Sequence, residues 1–73
     1  MNELSEMAKD AVRVNFNPAG NERVARITQM AAALIDEYDR IRIDKPGAAR
    51  EASVAITHLQ TASMWAVLAA TKK

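Results

Sequence analysis

The sequence predicts an all-α fold: a short N-terminal helix followed by an antiparallel two-helix hairpin. Three observations carry this. Apolar residues recur at steps of three and four in three separate segments. Glycine and proline occur only in "NPAG" (Asn17 to Gly20) and "KPG" (Lys45 to Gly47), where they punctuate those patterns. The last segment carries a seam made almost wholly of alanine, and alanine lets two helix backbones approach closely.

The first segment, residues 2–14, sets Leu4, Met7, Ala8, Ala11 and Val14 on one side, with Glu3, Glu6, Lys9, Asp10 and Arg13 elsewhere. That is a short amphipathic helix in need of a dock. The second segment, residues 21–42, repeats Val24, Ile27, Ala31, Leu34, Ile35, Tyr38 and Ile41, with Asn21 placed as its N-cap. Its polar side (Glu22, Arg23, Arg26, Asp36, Glu37, Asp39, Arg40, Arg42) reads as a solvated face. The third segment, residues 47–71, runs Ala52, Ala55, Leu59, Ala62, Ala66 and Ala69 along one seam. The short "IDKPGA" connection makes the two long helices antiparallel neighbours.

A second stripe on the third helix, Val54, Thr61, Trp65 and Leu68, points away from the seam. One hairpin partner cannot cover both stripes, so the surplus is expected to be an oligomer interface, with the first helix a candidate to cover part of it. Length argues the same way. A chain of 73 residues is a single domain that buries only roughly 60% of its unfolded surface. It has no cysteine for a disulfide, and its lone His58 cannot hold a structural zinc. Self-association is the remaining means of stabilisation.

Ten Lys and Arg against nine Asp and Glu leave no basic stripe for DNA. No apolar run approaches the ~20 residues of a spanning helix, and "MNELSEMAKD" has acids where a signal peptide would start basic. The expectation is a cytosolic protein without DNA or membrane partners, and without a cofactor or metal. No nucleophile, base and orienter fall in a recognisable spacing. Thr57-His58 reads as a helix-surface pair, so no catalytic residue is assigned.

The loop "VNFNPAGNERVARIT" says more. Phe16 stands outside every helical stripe, beside Asn17 and a Pro-Gly turn. Two roles stay open for it: packing the loop onto the hairpin, or stacking on a planar ring whose edge the Asn17 amide reads. Arg23 and Arg26 follow on the first turns of a helix, where free amides and the helix dipole favour an anion. Arg50 and Glu51 open the last helix and read first as a solvated pair.

The stretch "REASVAITHLQTASMWA", Arg50 to Ala66, resembles the signature of the phage anti-CBASS protein family, the cyclic-oligonucleotide sponges. Upstream, "NFNPAGNERVARI" resembles that family's aromatic-polar-Pro-x-Gly loop running into the first hairpin helix. The likeness covers Val14 to about Ala70, and the same hairpin is shared with sponges that antagonise Thoeris defence by capturing cyclic ADP-ribose variants. The resemblance implies a protein that sequesters cyclic di- or trinucleotide messengers in the cytoplasm of an infected bacterium without cleaving them. It also implies a homohexamer with dinucleotides held between protomers and trinucleotides in separate sites.

Carried over residue by residue, the family's loop aromatic falls on Phe16 and its following polar residue on Asn17. A position that is often basic falls on Thr28, which passes phosphate neutralisation to Arg26 or Arg23. The arginine that opens the signature falls on Arg50, the candidate phosphate contact of a trinucleotide site. Gln60 stands where Glu is common, and Val67 where Asn is common. Trp65 keeps a structural reading, as a large rigid anchor of assembly. Against the sponge stand an oligomeric helical adaptor for a protein partner and, more distantly, a cyclic-nucleotide hydrolase.

Overall fold

The computed structural model describes residues 4–73, and every regular element among them is helical: α1 (Glu6–Ala11), α2 (Glu22–Asp44) and α3 (Ala49–Thr71), with a 3-10 turn at Pro46–Ala48. Helix α1 is shorter than the expected 2–14; residues 2 and 3 of that span lie outside the described residues. Its start is set by Ser5, whose hydroxyl oxygen accepts the Ala8 N–H at 3.0 Å. Ser5 in turn donates from its N–H and its hydroxyl to the two carboxylate oxygens of Asp36, at 2.9 and 2.6 Å. Asp36, expected on a solvated face, therefore fastens α1 to α2.

Arg13 ends α1 by taking a left-handed conformation, φ 57°. This lets the Val14 N–H reach back to the Lys9 carbonyl at 2.9 Å and the Arg13 N–H reach the Asp10 carbonyl at 3.3 Å. That crossed pair satisfies carbonyls a helix end otherwise leaves open, and glycine is its usual residue. A side chain there costs about 1 kcal/mol.

Asn21 caps α2 as its sequence position predicts, accepting the Val24 N–H at 3.0 Å. The buried face of α2 is Val24, Thr28, Ala31, Ala32 and Ile35. Leu34 and Ile41, predicted on the core stripe, are exposed. Helix α3 buries Ala52, Ile56 and Ser63, whereas Ala62 and Ala69 of the predicted alanine seam face outward. The seam is thus rotated toward Ile56, whose burial against α2 removes more apolar surface from water than an alanine's would.

The hairpin is antiparallel. Arg42, near the end of α2, donates to Ser53 Oγ near the start of α3 at 3.2 Å while pairing with Asp39. Ile27 and Met30, near the start of α2, share a groove with Ser63 and Ala66. Ala8 and Val12 dock α1 onto a core of Ala31, Ala32, Ile35 and Ile56. Gln60 Nε2 donates to the Ala11 carbonyl at 3.2 Å, a bond that a glutamate could not make. With extents of 43 × 23 × 15 Å, the molecule is thin enough that much of each helix must face outward.

Ile35 is the largest fully buried side chain, at 0% exposure. Ile35→Ala is expected to destabilise the fold by about 3 kcal/mol through lost burial and a residual cavity. A thermal or denaturant melt followed by circular dichroism checks this, and a loss below about 1 kcal/mol would contradict the core described.

Candidate functional site

Two surfaces remain after the core is formed. The first is the loop between α1 and α2. Asn17 to Gly20 make a tight turn, closed by the Gly20 N–H on the Asn17 carbonyl at 3.0 Å. Pro18 sits at the second position, and Gly20 takes the left-handed conformation at φ 62°. Asn17 straps this turn to the helix start: its Oδ1 accepts the Asn21 N–H at 3.1 Å and its Nδ2 donates to the Asn21 carbonyl at 2.8 Å. The amide expected to read a ligand edge is thus engaged with the backbone in this chain.

Phe16 sits on the strapped loop with 59% of its surface exposed. It packs into no core cluster among the described residues, so its ring is accessible from solvent. The guanidinium of Arg13 lies over that ring, 4.2 Å from its centroid. A hollow of about 300 Å³ opens here, lined by Lys9, Asp10, Arg13, Asn15 and Phe16. Lys9 is paired with Glu6 at 2.8 Å.

The predicted arginines lie elsewhere. Arg23 and Arg26 are exposed on the first turns of α2 and do not line the hollow. The helix start beside them is already capped by Asn21 and carries Glu22, which reduces its pull on an anion. Thr28 is 3% exposed, and its hydroxyl donates to the carbonyls of Val24 and Ala25 at 3.0 and 3.3 Å, so it lies in the core. Arg50 is exposed on the first turn of α3. At 1.5 Å per residue, a helix the length of α2 separates it from Phe16 by roughly 30 Å. Within one chain these two residues cannot touch one compact ligand.

The apolar spacing places Arg13 on the outer face of a continuous helix and does not foresee its position over the Phe16 ring. Its spacing of three residues from Phe16 was visible; the left-handed turn that folds it back onto the ring was not. Among the described residues no group of three or more His, Cys, Asp or Glu could hold a metal ion, and no helix is long and apolar enough to cross a membrane.

The second surface is apolar. Ile27, Met30, Leu34, Leu59, Ala62 and Ala66 line an open groove of about 630 Å³ between α2 and α3. Trp65 and Leu68, on the predicted second stripe, are exposed beside it, Trp65 by 67%. Trp65 stands one turn from both Ala62 and Leu68 on the helix surface. Helix α1 packs mainly on α2 and leaves this face open.

No curated protein and no solved structure matches the chain. The protein-family model described as "Acb2/Tad1, hairpin domain" matches residues 8–71. That span takes in α1 from Ala8 onward, the loop carrying Phe16 and both hairpin helices. The chain therefore belongs to the Acb2/Tad1 hairpin-domain family, the anti-CBASS and anti-Thoeris sponges.

Proposed function

We propose that this protein is a phage counter-defence sponge that binds cyclic di- and trinucleotide messengers in the cytoplasm of the infected host and holds them intact. One observation carries the reading within the family: an aromatic ring, exposed on a strapped loop beside a hollow and covered on one face by the Arg13 guanidinium, is a platform on which a base stacks. Phe16 is the stacking residue. Asn17 and Thr28 act through the backbone, Asn17 by fixing the loop and Thr28 by packing the helix beneath it. Arg23 and Arg26, exposed on the first turns of α2 and outside the hollow, supply positive charge to a ligand held between copies, and Arg50 is the phosphate contact of a second site at the far end of the hairpin.

Assembly completes the reading. The apolar groove with Trp65 suits further copies of the same chain, with a homohexamer as the proposed state. Symmetry would multiply each phosphate contact, and would bring Arg50 residues together around one trinucleotide. No cofactor is needed, because capture is stoichiometric and breaks no bond.

The test is depletion and recovery. Excess protein is mixed with a cyclic dinucleotide, a cyclic trinucleotide or a cyclic ADP-ribose variant, filtered, and then denatured by heat. Disappearance of the nucleotide from the filtrate and its chemically unchanged return after heating is the expected result. A hydrolysed product would favour the enzyme reading, and undiminished ligand in the filtrate would favour the adaptor. Recovery of the cyclic ADP-ribose variant alone would place the chain with the anti-Thoeris branch.

A further inference from the structure

Arg13 lines the Phe16 hollow and has no role in the site as proposed. Arg13 is the non-glycine residue with positive φ among the described residues, at 57°. The helix-ending turn it forms would accept glycine or asparagine more readily, and strain of this kind points toward a function for the side chain. The side chain is well placed for one. Its guanidinium carbon lies 4.2 Å from the centre of the Phe16 ring. Asp10 lines the same hollow, yet the carboxylate ion pairs among the described residues belong to Lys9, Arg40 and Arg42. Arg13 is in none of these pairs, so its N–H donors stay available to a ligand. A separation of 4.2 Å leaves no room for a base between guanidinium and ring, so a base must use the ring's other face.

We propose that Arg13 is a binding residue of this site: it holds the Phe16 ring by one face, leaves the other to a nucleobase, and offers its N–H groups to the adjoining phosphodiester. This rests on the reading that the chain binds a cyclic nucleotide at Phe16. The ring and the guanidinium lying over it then meet the two chemistries of one nucleotide, the ring meeting the base and the fork meeting the phosphate. The left-handed turn is what brings them together, because a continued α-helix would carry Arg13 away from the loop.

Arg13→Gly separates binding from folding, since glycine suits the left-handed position better than arginine does. With 3′,3′-cyclic GMP–AMP as the probe and the full-length chain, the variant is expected to bind roughly tenfold more weakly. Its melting temperature should be level or higher, and its affinity should depend less steeply on salt. Arg13→Lys, which keeps the charge but loses the planar stack, should fall between. Wild-type affinity in Arg13→Gly overturns the proposal. If Phe16→Ala loses the ligand while Arg13→Gly keeps it, the error is confined to Arg13. If the wild-type chain retains no cyclic nucleotide of any size, the sponge reading falls and takes this proposal with it.

Discussion

Phe16→Ala is expected to abolish useful capture of a cyclic dinucleotide while leaving helical content and assembly size unchanged. Stacking of a base on an aromatic ring contributes about 1–3 kcal/mol, a loss of roughly five- to more than a hundredfold in affinity for each base removed from its platform. A ligand gripped by two symmetry-related copies would lose both. Folding should not suffer, because the ring is exposed and packs into no core cluster among the described residues. Phe16→Tyr keeps the stacking face and should restore binding. Calorimetric titration with circular dichroism on the same samples checks all three expectations, and unchanged affinity in Phe16→Ala would remove the ring from the site.

Trp65→Ala is expected to break the assembly into smaller species. Truncating a central aromatic anchor of an interface costs about 2 kcal/mol or more, and in a closed ring that loss recurs at every copy. Trp65 is 67% exposed in the single chain and contributes little to its core, so the hairpin itself should remain helical. Size-exclusion chromatography with light scattering reads the outcome. The chain has a single tryptophan, so its emission gives a second readout: blue-shifted in the assembled wild type, red-shifted on dilution. A Trp65→Ala protein that elutes as the parent does would contradict the interface, and with it the arrangement of phosphate contacts across copies.

The elements that were legible in the sequence are those governed by local rules. The 3.6-residue pattern of Val24, Ala31 and Ile35 marks α2, and Asn21 marks its start. Glycine and proline mark the two loops. What was not legible depends on contacts between distant residues or on a rare backbone state. Asp36 looks like any surface carboxylate until Ser5, thirty-one positions away, binds it. Gln60 gains its meaning only from the Ala11 carbonyl. The alanine seam misled because alanine is at home on every face of a helix, so its spacing did not reveal that Ile56 and Ser63 point inward.

The same division runs through the candidate site. Phe16 stands out in the sequence as a lone loop aromatic, and its ring is exposed. The Asn17 amide is bonded to the Asn21 backbone, which its sequence position does not announce, because an asparagine beside Pro-x-Gly serves the turn as readily as a ligand. Thr28 followed from the family's alignment of positions rather than from its own pattern. Its place at the fourth residue after Val24 is the spacing at which a threonine hydroxyl bonds back to its own helix. The contact of Arg13 with the Phe16 ring is not legible in the sequence, because it depends on α1 ending at Ala11 and on a left-handed residue at position 13.

Native mass spectrometry of the full-length protein, alone and with a mixed panel of cyclic dinucleotides, trinucleotides and cyclic ADP-ribose variants, tests the central claim most directly. It reads assembly size, ligand identity and stoichiometry in one spectrum. The account predicts a homo-oligomer that retains at least one of these nucleotides at its intact mass, in a ratio set by the symmetry of the assembly. An oligomer that retains none would contradict the sponge and favour the adaptor, and a monomer would contradict both.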